Sequence, residues 1–299
     1  MSALILHHHD PSPFAEKIRL LFGLKGLSWQ SVQVSMVMPR PHMTALTGGY
    51  RRIPVLQIGA DVYCDTALIC REIERRHPEP ATGASGIGIA LGQWSDRAFF
   101  DAGASLAMGT DEVPGEVIED RKAFFTHLDF DAFRGDRTHL LGQLGAHAQL
   151  IEDALADGRS FVAGDRPGWM DILAWFPVWM AHGYVAEAGS VLAGLERLAA
   201  WSARMAELEH GSRVDIEAEE ALAIARESTP DAGRGVSDAL ADLAEGARVA
   251  VTPADYGKDP VIGSLVTLDR HEIAIRRSDP ACGEVVIHFP RIGFRVDVA

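Results

Sequence analysis

A chain of 299 residues, 47% apolar and 23% charged, has room for two or three packed units and the composition of a globular protein. Forty-two Asp and Glu against 28 Lys and Arg leave a formal charge of −14, which argues against phosphate-backbone binding, so no nucleic-acid partner is expected. No apolar run approaches the roughly 20 residues needed to span a bilayer and no signal peptide is read at the start; Cys64, Cys70 and Cys282 form neither a CxxC pair nor an even framework, so no membrane partner is expected and the chain reads as cytoplasmic with reduced thiols.

Residues 3–6 read as a strand whose end runs into His7, His8 and His9. Three histidines are too few for a tag, and adjacent strand residues face opposite ways, so they cannot readily chelate one ion; no metal is expected. Ser12 is a good N-cap and Pro13 suits a first helical position, and Phe14, Ile18, Leu21 and Phe22 then keep helical spacing to residue 24. Residues 31–37 carry β-branched residues and read as a second strand, and Pro39, Pro41 and Gly48-Gly49 mark an irregular loop. Residues 51–78 read as strand, turn at Gly59-Ala60-Asp61, strand, and a helix from Thr66 that stops at Arg75, Arg76, His77 and Pro78. The order is that of an α/β module.

From 84 to 210 apolar residues recur at three- and four-residue spacing, which predicts a helical domain. Residues 211–246 hold nine Asp and Glu against three Arg and read as a helix over 215–227 followed by a linker, "STPDAGRGVSD". Residues 247–299 alternate in short runs such as "RVAVTP", "EIAIRR" and "GEVVIHF", with seven Lys and Arg balancing seven Asp and Glu, and predict a small antiparallel barrel or sheet. The expected units are therefore 1–80, 84–210, 211–246 and 247–299.

Four short stretches, "SPFAEKIR" (12–19), "RRIPVL" (51–56), "YCDTALI" (63–69) and "FVAGDRPGWMDI" (161–172), taken in their order and spacing, resemble the glutathione transferase family over about residues 3–210. The resemblance implies a thioredoxin-like N-terminal domain followed by an all-α domain, with the β extension outside the usual family limits. It also implies glutathione as co-substrate, a small-molecule electrophile as partner, and a homodimer.

By the resemblance Ser12 meets the glutathione sulfur. Holding a thiol of pKa near 8.5 as thiolate at neutral pH needs a shift of roughly two units, about 2.7 kcal/mol. A helix N-terminus supplies about 0.3–1 kcal/mol and a hydroxyl hydrogen bond to the charged sulfur about 1.5–3 kcal/mol, so the two together suffice. The plain alternative is that Ser12 only caps its helix. Tyrosine-type relatives place a phenol where this chain has His8, and none of Tyr50, Tyr63, Tyr184 and Tyr256 falls there, which leaves His8 and His9 either lining the site or structural. Pro54 matches the family's cis-proline, which turns the backbone of Ile53 toward the cysteinyl part of glutathione. Asp65-Thr66 stands where the family binds the γ-glutamyl end, on the sound electrostatic footing of a helix N-terminus. His42, Arg51 or Arg52 would meet the glycyl carboxylate, and Phe14 and Arg52 are candidate lining residues.

Gly168 replaces the hydroxyl residue of the family's capping motif, with Asp171 still placed to reach back to the cap N–H. Trp94, Phe99, Phe100, Trp169, Trp175, Phe176 and Trp179 supply core or acceptor-pocket aromatics, and Cys64 and Cys70 read as buried packing. The function expected is conjugation of glutathione to a small electrophile. The alternative is a non-catalytic scaffold that binds partners through its extension.

Overall fold

A computed structural model describes residues 2–237 and 242–299. Its framework is one sheet. The first strand, β1 (Ile5–His8), lies parallel to β2 (Ser28–Gln33) and antiparallel to β3 (Val55–Ile58), which in turn pairs antiparallel with β4 (Asp61–Cys64). The helix α1 (Pro13–Leu24) connects β1 to β2, α2 (Pro41–Thr47) precedes β3, and α3 (Thr66–Arg76) follows β4. The β2 strand starts and ends earlier than the expected 31–37, because Trp29 is buried and its indole N–H donates to the His210 carbonyl at 2.7 Å. The expected loop at 39–49 is corrected to a helix. Pro41 occupies the first turn of α2, where its missing N–H costs nothing, and Gly48 at φ 67° ends it.

The helical part runs α4 (Ile87–Ala90), α5 (Gly92–Trp94), a π-helical turn at Ser95–Phe99, α6 (Phe100–Met108), α7 (Gly115–Phe124), α8 (Arg137–Ala154), α9 (Trp169–Tyr184), α10 (Ala188–Val191) and α11 (Glu196–Ala206). Its core joins that of the α/β module through Ile18, Leu21, Ile69, Leu173 and Trp201, among others. Asp171 anchors α9 from within this core. Its carboxylate accepts from the backbone N–H groups of Val162 (2.6 Å), Ala163 (3.0 Å) and Gly168 (3.0 Å) and from the Trp201 indole (2.8 Å). The glycine at the cap has a steric reason: a Cβ there would lie 2.7 Å from the Thr82 carbonyl oxygen.

After the helices, β5 (Ser212–Asp215) adds to the far edge of the sheet, parallel to β2, and α12 (Ala218–Glu227) follows. The expected helix at 215–227 thus begins three residues later, behind a strand that had not been anticipated. The short β6 (Gly235–Val236) pairs with β8; residues 238–241 of the expected linker lie outside the described residues. The strands β7 (Arg248–Pro253), β8 (Val261–Leu268), β9 (Glu272–Asp279), β10 (Gly283–Pro290) and β11 (Phe294–Val298) make an antiparallel sheet in the order β11-β7-β8-β9-β10.

That sheet does not stand apart. Strand β10 pairs in parallel with β4 (Val286 with Asp61, Ile287 with Val62, His288 with Tyr63), so the antiparallel strands continue the central sheet. Pairing covers what would otherwise be an open edge on β4. A shared apolar core backs the pairing: Leu46, Val55 and Val62 pack with Leu222, Val251, Leu265, Ile275 and Phe289, each worth about 1.5–3 kcal/mol of burial. At the seam, His288 bridges Glu272 (2.7 Å) and Asp61 (3.1 Å), its ring stacked on Tyr63 at 4.3 Å.

Candidate functional site

The ends of β1, β3 and α3 meet α6, α7 and α9 around a cavity of about 1030 Å³. Ser12, Phe14, Ile53, Pro54, Asp65 and Thr66, scattered over 55 residues of sequence, all line it. Ser12 has the extended backbone of an N-cap, and its hydroxyl oxygen accepts from the Ala15 N–H at 3.2 Å. That contact uses a lone pair and not the O–H, so capping and donation to a ligand are compatible.

The Ile53–Pro54 peptide bond is cis. Asp65 caps α3 by accepting from the Ala67 N–H at 2.9 Å, and it does so at φ 75° and ψ 134°. A side chain held in that region costs about 1–3 kcal/mol, and such outliers cluster at functional sites. Burial pushes the Asp65 carboxyl upward, against the pull of the Ala67 N–H, Lys17 and Arg52. The first residues of α3, Thr66, Ala67 and Leu68, line the same cavity, and a helix N-terminus favours a bound anion.

The histidines part company. The His7 Nε2 meets Gln57 Oε1 at 2.8 Å in the interior, and His8 lies between Ser31 Oγ (3.1 Å) and the Arg19 guanidinium (3.1 Å), buried and away from the cavity. Of the three, His9 alone lines the cavity. Burial holds all three rings neutral, at about 4, 3 and 4 respectively, with Arg19 adding to it at His8 and Arg121 and Arg40 at His9.

The basic residues proposed for a glycyl carboxylate also separate. His42 sits off the cavity, paired with Glu219 at 3.1 Å. Arg51 at 3.0 Å and Arg121 at 2.6 Å share the Asp120 carboxylate, while the buried Arg40, whose Nε has no partner, donates to the Arg51 and Met36 carbonyls beside them. Arg52 lines the cavity, but its guanidinium donates to the Asp255 carboxylate and the Tyr256 carbonyl, far along the C-terminal sheet.

Among the seven aromatic candidates, Phe100 and Trp169 line the cavity, and Phe100 stacks edge-on against Phe14 at 4.7 Å. Trp94, Phe99, Trp175, Phe176 and Trp179 pack in the helical cores. Cys64 and Cys70 are fully buried and their thiols are pushed well up by that burial, so neither is a nucleophile at neutral pH.

Several lining residues escaped sequence reasoning. Asp96 and Arg97 are aimed into the cavity from the π-helical turn, a feature that recurs at functional sites. Asp96 holds Lys17 at 2.8 Å, with the Lys17 ammonium 4.8 Å from the Phe14 and Phe176 ring centroids. Here a signal existed: Lys17 stands three residues after Phe14 and four before Leu21, on the apolar stripe of α1. For Asp255 and Tyr256 there was none.

Comparison with known proteins identifies the family of the fold. The family model described as "Glutathione S-transferase, N-terminal domain" covers residues 6–81, and that described as "Glutathione S-transferase, C-terminal domain" covers residues 116–204. A GST-like protein from Pseudomonas syringae is 33% identical, over 98% of this chain and 99% of that one, with a TM-score of 0.80. A glutathione S-transferase domain-containing protein from Marinobacter aquaeolei VT8 (17% identity, 70% of this chain, all of that one, TM-score 0.55) and poplar glutathione transferase F1 (12%, 76%, all, TM-score 0.54) share the fold. No curated protein matches the sequence. Two family models over the α/β and helical parts, with a structure aligned nearly end to end, place the chain in the glutathione S-transferase family.

Proposed function

We propose that the chain is a glutathione transferase in which Ser12 and the α1 N-terminus keep the glutathione sulfur ionised for attack on a small electrophile. One observation carries the reading: Ser12, the cis Ile53–Pro54 bond and the Asp65–Thr66 cap of α3 converge on one cavity large enough for a tripeptide and an acceptor. In this reading the Ile53 backbone pairs with the cysteinyl unit, the α3 N-terminus takes the γ-glutamyl carboxylate, and the Asp65 carboxylate faces the ammonium. The Arg40, Arg51 and Arg121 end supplies the positive potential for the glycyl carboxylate. The Ser12 hydroxyl donates to the thiolate, worth about 1.5–3 kcal/mol, and the helix end adds about 0.3–1 kcal/mol. Isomerisation, thiolysis and peroxide reduction use the same thiolate.

Calorimetry and turnover with wild type and Ser12→Ala test it. The variant should bind glutathione within a few-fold, lose turnover by about tenfold or more, and show bound thiol ionising one to two units higher by thiolate absorbance. Absence of glutathione binding to both proteins refutes the reading. A free-standing adaptor role for the extension is disfavoured, because its strands are stitched to β4 and one of its turns enters the cavity. We further propose a cytoplasmic homodimer, on the buried free thiols and the family; sedimentation of the full chain tests the assembly.

A further inference from the structure

Strand β7 ends at Pro253, and the turn that follows, residues 254–257, is fixed from several sides. The Ala254 N–H donates to the Gly293 carbonyl at 2.8 Å, and the Gly257 N–H to the Phe124 carbonyl at the end of α7 at 3.2 Å. Gly257, at φ 54°, approaches so closely that a Cβ would lie 2.5 Å from the Phe124 ring. Between these ties Asp255 receives Arg52 from the strand side and Arg97, at 3.2 Å, from the π-helical turn. The Arg52 guanidinium lies 4.0 Å over the Tyr256 ring. That ring is only 7% exposed, packs edge-on to Phe124 at 5.1 Å, stacks on His127 at 5.3 Å, and lines the cavity.

The chemistry has two parts. Tyr256 anchors the turn, its ring held by Arg52, His127 and Phe124 on the side of the cavity that also holds Phe14 and Phe100. Asp255 supplies one carboxylate to two guanidinium groups that would otherwise offer their charge to an incoming acceptor. We propose that this turn is the specificity element for the acceptor, with Tyr256 as the anchor that holds it in place and Asp255 as the internal counter-ion that weakens the cavity's pull on carboxylate-bearing acceptors. For turnover the proposal rests on the transferase reading; for binding it does not. With an aryl chloride the glutathione sulfur forms the carbon–sulfur bond, the carbon–chlorine bond breaks, and chloride leaves with the electron pair.

The experiment compares a neutral and an anionic ligand of one shape. Dinitrobenzene and dinitrobenzoate are bound to the full chain, read by tryptophan quenching, and chlorodinitrobenzene and chlorodinitrobenzoate are turned over with glutathione. Wild type sets the reference ratio for each pair. Asp255→Asn should move both ratios toward the anion by at least about tenfold, the scale of one partly desolvated charge contact. Asp255→Glu, which keeps the charge, should hold the wild-type preference. Tyr256→Ala, which removes the anchor of the turn, should move the ratios in the same direction as Asp255→Asn, while Tyr256→Phe should leave them unchanged. An unchanged ratio in a folded Asp255→Asn protein overturns the proposal, as does wild type that binds neither analogue. Shifted binding ratios without glutathione chemistry leave the turn's role standing and sink the transferase reading; glutathione chemistry with a fixed ratio does the reverse.

Discussion

The seam between β4 and β10 should weaken in alkali, and His288 is the reason. Its side chain is 4% exposed and lies between the carboxylates of Glu272 and Asp61. Burial alone would lower the imidazole, but the two carboxylates outweigh it and raise the group from 6.5 to about 9. Below pH 6.5 the ring is protonated whether the chain is folded or not, so the bridge contributes fully. Between 6.5 and about 9 the unfolded chain has lost that proton while the folded one retains it, and the contribution drains away. A difference of 2.5 units corresponds to about 3 kcal/mol, on the order of a third of the stability of an ordinary domain. We expect urea midpoints of wild type to fall from pH 6 to pH 9.5 relative to those of His288→Gln, which lacks the titrating group and cancels the common background. An NMR titration should place the ring near 9. Parallel pH profiles for the two proteins, or a ring that titrates below 7, would refute the argument.

Removing the carboxylate of Asp171 strands the Gly168 N–H and the Trp201 indole in the core and takes the acceptor from the Val162 and Ala163 N–H groups nearer the surface, so Asp171→Ala should cost about 3–5 kcal/mol in urea unfolding. Gly168→Ser installs a better capping residue yet should destabilise by about 1–3 kcal/mol, because its Cβ meets the Thr82 carbonyl; a rise in the thermal midpoint would contradict the steric account. Asp65→Gly relieves a left-handed backbone while giving up the carboxylate. The expected result is stability between unchanged and about 1 kcal/mol higher, with glutathione affinity at least about tenfold weaker by calorimetry.

What was legible in the sequence was local. Ser12-Pro13 announces α1, the apolar run with Gly59 announces the β3–β4 hairpin, and Arg75 to Pro78 closes α3, because caps, turns and helix stops depend on neighbours in the chain. The same locality explains the two caps of the site, Ser12 and Asp65, whereas the cis bond before Pro54 was implied by the family resemblance and not by its neighbours in the chain. The α2 helix was hidden because its Pro and Gly are also the marks of a loop, and seven residues are too few to show a period. Strand β5 has four exposed residues, Ser-Arg-Val-Asp, with no burial pattern; the open edge of β2 dictates its conformation.

Charge offers the sharper lesson. Seven basic and seven acidic residues in 247–299 place the charge excess of the chain in residues 1–246, yet a balanced count is not a set of pairs. Asp255 is spent on Arg52 and Arg97, the His288 ring on Asp61 as well as Glu272, and Arg277 donates to the Ala45 carbonyl. Each bond reaches at least 150 residues back along the chain except the one to Glu272, and no periodicity records a partner at that separation. Composition therefore hid the one property that matters for the cavity. The C-terminal strands bring a carboxylate and a phenol to it, from a sheet that is joined to the central one where β10 pairs with β4.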